Sequence, residues 1–92
     1  MSNVDDLKVG DVILLTYLGE LYGKSIMGST VVAVVEEIIN LHDSSYIGYI
    51  DIKVISDSAP HEDGGWLSGR RATISIDKFN KKAEDHIELT IL

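Results

Sequence analysis

The chain contains no cysteine, one proline, one tryptophan and one phenylalanine among its 92 residues. Without cysteine there is no disulfide framework, no thiolate zinc site and no thiol nucleophile. Its longest apolar run, Val31 to Val35, is far too short to cross a membrane. The opening residues, Met1-Ser2-Asn3-Val4-Asp5-Asp6, lack the basic and apolar regions of a signal peptide, and no N-x-[ST] acceptor occurs. These absences lead to the expectation of a soluble cytoplasmic protein with no membrane partner. Bases are also scarce: 8 Lys+Arg face 15 Asp+Glu, a formal net charge of −7. That balance argues against a generic binder of nucleic acid or anionic lipid, because phosphate contacts are made mainly by Lys and Arg.

What is present is apolar and β-branched. Hydrophobic residues make up 45% of the chain, which is the composition of a globular domain rather than a disordered one. The length suits one domain spanning residues 1–92, with one core and no room for a deep, dry catalytic cavity as well. Val and Ile outnumber Ala and Leu, which favours strands. The turn Val9-Gly10-Asp11 opens a first strand from Val12 to Leu18. A stretch punctuated by Gly19, Gly23 and Gly28, with no clear period, reads as a long hairpin loop or a distorted excursion. A second strand follows from Thr30 to Asn40, with apolar residues on both faces and the pair Glu36-Glu37 interrupting the pattern, where a bulge would switch the inward face. A helix is the competing reading of this run, disfavoured by its four valines.

The turn His42-Asp43-Ser44-Ser45 leads to a strand from Tyr46 to Ser56. In it Tyr46, Ile50, Ile52 and Val54 share the inward face, and Asp51 and Lys53 take the other. A polar loop from Asp57 to Arg70 holds Pro60 and Gly64-Gly65; loops this long in small domains are often functional. Arg71 to Ile76 alternates again, with Ala72, Ile74 and Ile76 inward. Asp77 to Asp85 is a polar connection with room for one helical turn, and His86 to Leu92 closes the chain with Ile87, Leu89 and Ile91 inward. The expected fold is therefore all-β: a small five-stranded barrel, closed or half-open, with two long loops.

The strand order and loop lengths resemble an SH3-like barrel. The opening Val9-Gly10-Asp11-Val12-Ile13, then Gly19, Gly23 and Gly28, then Thr30-Val31-Val32-Ala33-Val34, is similar to the KOW motif. In that motif a Gly-Asp turn and a glycine-spaced loop join the first two strands of a barrel. The resemblance covers residues 7 to about 36 by motif and implies binding of RNA or protein partners. KOW domains are usually basic, whereas this chain is acidic. A peptide-binding SH3 signature is absent, since Trp66 is the only tryptophan.

Catalytic motifs fail on spacing. Gly23-Lys24-Ser25 would need a glycine where Leu18 stands to make a phosphate loop. Gly65-Trp66-Leu67-Ser68-Gly69 puts its serine one place late for a nucleophile elbow. The histidines His42, His61 and Asp85-His86 each adjoin an acid, yet no pair has the spacing of a preorganised metal site. The expectation is therefore no enzyme, no cofactor and no metal. Charge is unevenly spread: residues 1–69 carry 11 acids and 3 bases, whereas residues 70–82 carry Arg70, Arg71, Lys78, Lys81 and Lys82 against Asp77. With Trp66, Leu67 and Phe79 nearby, this segment is the expected contact surface, since tryptophan and arginine dominate interaction hot spots. The bland alternatives are a solvated strand edge, Phe79 in the core and Trp66 folded over the barrel end. The leading expectation is a non-catalytic protein-binding module, a small acidic regulator or inhibitor. The alternative is a KOW-like nucleic-acid binder using the basic and aromatic surface of residues 66–82. Self-association through exposed strands is a further expectation.

Overall fold

The computed structural model describes residues 4–20, 27–39, 48–58 and 69–92. Five strands form one antiparallel sheet: β1 (Val12–Tyr17), β2 (Thr30–Ile39), β3 (Tyr49–Asp57), β4 (Arg71–Ser75) and β5 (Ile87–Ile91). The order across the sheet is β4-β3-β2-β1-β5, so the first four strands meander and the last returns to the far side of β1. No α-helix occurs among the described residues, and 3-10 turns occupy Val4–Asp6 and Ile76–Phe79. The all-β expectation is met, and strand ends differ from those expected by at most one residue, apart from the third strand, which starts at Tyr49 where Tyr46 is expected. Tyr46 and Ile47, at the expected start of the third strand, lie outside the described residues, as do 21–26 and 59–68 of the two long loops. Among the described residues β4 and β5 do not pair, so the sheet is not closed.

Alternation builds the core. Ile13, Leu15 and Tyr17 of β1, Val31, Ala33 and Val35 of β2, and Ile50, Ile52 and Val54 of β3 point to one face and are buried. Ile74, Ile87, Leu89 and the N-terminal Leu7 complete the cluster, and Ala72, Ile76, Phe79 and Ile91 pack against it. Each large aliphatic side chain so buried contributes about 1.5–3 kcal/mol. The parity of β2 changes at Glu36. Val35 pairs with Ile52 and Glu37 with Asp51, leaving Glu36 as the extra residue of a bulge. Inward positions therefore run 31, 33, 35 and then 38, and Ile38 packs on the core.

One device opens three strands. Tyr17 N–H donates to Ser29 O while Gly28 N–H donates to Tyr17 O; Val54 stands in the same relation to Gly69 and Arg70, and Val35 to Gly10 and Asp11. Each time two residues oppose one, and the first is a glycine at φ 82° to 95°. A side chain at that φ would be strained, which is why glycine precedes each of these strands.

Candidate functional site

The segment expected to form one basic, aromatic surface is divided by the fold. Trp66 and Leu67 lie outside the described residues. Arg70 is exposed, and its carbonyl accepts from Val54 N–H. Arg71 begins β4 and reaches over β3 to Glu36 on β2, Nε to Oε1 3.0 Å. Lys78, in the 3-10 turn, pairs with Asp85, Nζ to Oδ2 2.7 Å. Lys81 and Lys82 are exposed in the turn that follows, where Lys82 N–H donates to Asn80 Oδ1. Phe79 packs against the core. Two of the five cations are thus already held by carboxylates.

The Lys78–Asp85 pair is part of a small polar junction. The hydrogen bond from the Lys78 ammonium holds the Asp85 carboxyl below its ordinary range; partial burial opposes this, and the Lys78 charge and a backbone hydrogen bond add to it. His86 Nδ1 lies 3.3 Å from Lys78 O, where it acts as donor to the carbonyl. Beside the junction, Gly19 is buried so close to β5 that a β-carbon would collide with the backbone of Glu84, Asp85 and His86. Leu18 and Gly19 N–H both donate to His86 O. An open depression of about 300 Å³ lies here, lined by Glu20, Lys81, Lys82, Glu84 and His86 among others. His42 and His61 lie outside the described residues, and among the described residues no three metal-ligating side chains converge.

The outward face of the sheet has two unlike halves. On β1 and β2 the register sets Val12 beside Val34 and Leu14 beside Val32. These four form an aliphatic block; Val12 is exposed and the other three are half-buried. Leu92, exposed, adjoins Val12 through Leu92 N–H donating to Val12 O. On β3 and β4 the same face is charged. Glu37 pairs directly with Asp51, two carboxylates side by side. Asp51 Oδ1 accepts from Thr73 Oγ1 at 2.6 Å. Glu36, Glu37, Asp51, Arg71, Ala72 and Thr73 line a second open depression of about 290 Å³. This acidic face is absent from the sequence-level site; its only signal is the Glu36-Glu37 interruption. The aliphatic block is signalled by the apolar residues on both faces of the second strand.

Backbone direction separates the two sheet edges. Bonds between Val54 and Arg70, and between Ile76 and Gly48, belong to one register. They set the N–H and C=O groups of Ala72 and Ile74 toward β3 and those of Arg71, Thr73 and Ser75 toward the free edge. Arg71 and Thr73 are exposed, and among the described residues no strand pairs with this edge. At the other end, Leu92 bonded to Val12 and Leu18 to His86 give the opposite parity. There the edge-facing residues are Ile87, Leu89 and Ile91, whose side chains turn inward, and Ile87 and Leu89 are 2% and 5% exposed. Comparison of the chain with protein-family models, curated proteins and solved structures gives no match.

Proposed function

We propose that this chain is a non-catalytic protein-binding module, a small acidic regulator that engages its partner through the outward face of its sheet. The observation that supports this most is the aliphatic block of Val12, Leu14, Val32 and Val34. An antiparallel sheet that faces water on one side alternates apolar and polar residues. Here β1 and β2 stay apolar on both faces, and exposed apolar patches rimmed by polar groups mark interaction sites. The charged half of the face supplies the rim. We also infer a half-open, SH3-like barrel: inner-face side chains as little exposed as Ile13, Ile50 and Ile87 favour a sheet curled around them.

The test is a pull-down from the native host at low salt, comparing the native chain with the double substitution Val32→Thr plus Val34→Thr. These changes keep β-branching and sit on the outward face. The expected result is a stoichiometric protein partner that the double variant loses at least tenfold. No stoichiometric partner, or one indifferent to the substitutions, would remove the reading. A second reading, nucleic-acid binding, draws on exposed Arg70, Lys81 and Lys82, for which no ion pair is found among the described residues. It predicts a gel shift with steep salt dependence, because phosphate contacts release counterions.

A further inference from the structure

We infer that the outer edge of β4, with which no strand pairs among the described residues, is a docking site for an extended peptide strand carrying basic side chains on its outward face. This rests on the protein-binding reading above and names the chemistry of the partner. Arg71, Thr73 and Ser75 direct their backbone N–H and C=O groups away from β3. An edge with unpaired backbone groups is a template for an added strand. Proteins commonly blunt such edges with lysine, proline or cover; β4 contains neither lysine nor proline, and Arg71 leans inward toward Glu36. At five residues the strand is short, so recognition needs side-chain contacts as well.

Charge decides the occupant. A strand added to β4 alternates its side chains across the two faces. Those on the inner face fall beside Ala72, which is partly buried, and Ile74 of the core, and suit small aliphatic residues. Those on the outward face fall beside Arg71, Thr73 and Ser75, next to the depression lined by Glu36, Glu37, Asp51 and Arg71. Lys53, on the same face, stands opposite Arg71, whereas Asp51 stands opposite Thr73. A lysine or arginine opposite Thr73 must cross β4 to meet Asp51 on β3, two strand spacings away. Arg71 already makes a reach of that kind, from β4 across β3 to Glu36 on β2 at 3.0 Å. A second copy of this chain is the weaker occupant: it carries a net charge of −7 and would bring one set of carboxylates against another.

The test uses the full chain and a capped heptapeptide alternating lysine and valine. The expected result is binding, with the largest amide shifts at Arg71, Thr73 and Ser75. Replacing the lysines by glutamate abolishes it. Thr73→Pro weakens it at least tenfold, because Thr73 N–H serves only the edge and an edge proline leaves the ladder to β3 intact. If Thr73→Pro fails to fold, N-methylation of alternate peptide residues gives the same answer: one set weakens binding at least tenfold and the other set leaves it unchanged. Equal binding of the lysine and glutamate peptides, or shifts confined to β1 and β2, would overturn the inference. So would a dimer of the free chain, seen by light scattering, that Thr73→Pro dissociates. In the host pull-down, a partner retained by Thr73→Pro but lost from the outward-face double variant would overturn the edge site and leave the protein-binding reading standing. No partner at all would overturn both.

Discussion

The strands β4 and β5 are the two edges of one sheet, similar in length and both antiparallel to their neighbours, and they present opposite kinds of edge. The difference is parity. In an antiparallel pair the residues whose backbone groups miss the partner all carry their side chains on the same face. On β4 those residues are Arg71, Thr73 and Ser75, which face outward, with Arg71 and Thr73 exposed and Ser75 half-buried. On β5 they are Ile87, Leu89 and Ile91, which turn inward, and burial of Ile87 and Leu89 shields the edge with them. Every pair in the sheet is antiparallel, so β4 and β5 run in the same direction on opposite sides of it, and the handedness of the chain gives their outer edges opposite parity. Whether an edge is open to another chain thus depends on strand direction as well as on composition.

The comparison can be broken most severely at β5. Leu89→Ala removes a buried side chain, and a loss of about 2–5 kcal/mol is expected in urea unfolding. Gly19→Ala comes next. Its β-carbon would meet the backbone of Glu84, Asp85 and His86 and push β5 away, at a cost of about 1–3 kcal/mol by the same measurement. A cost near zero would mean that β5 and the strand end beside it are loosely docked.

Asp85→Asn has a smaller effect that depends on pH. The native carboxyl titrates below its ordinary range because Lys78 bonds its charged form. Its contribution is therefore present above the ordinary carboxylate range and lost as pH falls through the lowered value. Unfolding at neutral pH should show the native chain ahead of Asp85→Asn by up to about 1 kcal/mol, since the pair is partly exposed. The gap should close in strong acid, and a gap that widened there would refute the assignment. The smallest change is expected on β4. Thr73→Val removes an exposed hydrogen bond to Asp51 and keeps β-branching, so stability should move by less than about 0.5 kcal/mol.

Much of this was readable in advance. Period-two alternation located all five strands, and the pair Glu36-Glu37 marked the bulge that brings Ile38 onto the core. Both signals are local, and local pattern is what a sequence states directly. The contact surface was less legible. Five bases within residues 70–82 read as one patch, yet Arg71 is claimed by Glu36 on a distant strand and Lys78 by Asp85 beyond the turn. Those pairings follow from register and chain reversal, which composition does not carry. Edge parity is hidden for the same reason: Thr73 and Leu89 each sit mid-strand, and only their hydrogen-bond partners tell an open edge from a shielded one. Glu37 beside Asp51 was equally invisible, because the two are adjacent only across β2 and β3.

Amide hydrogen exchange followed by NMR on the free chain tests the contrast between the edges most directly. The account predicts that Thr73 N–H, which points to the open edge, exchanges at least a hundredfold faster than Ile74 N–H, which bonds to β3. It also predicts that Ile87 and Leu89 N–H exchange slowly although neither faces β1. Slow exchange at Thr73 together with fast exchange at Leu89 would contradict it.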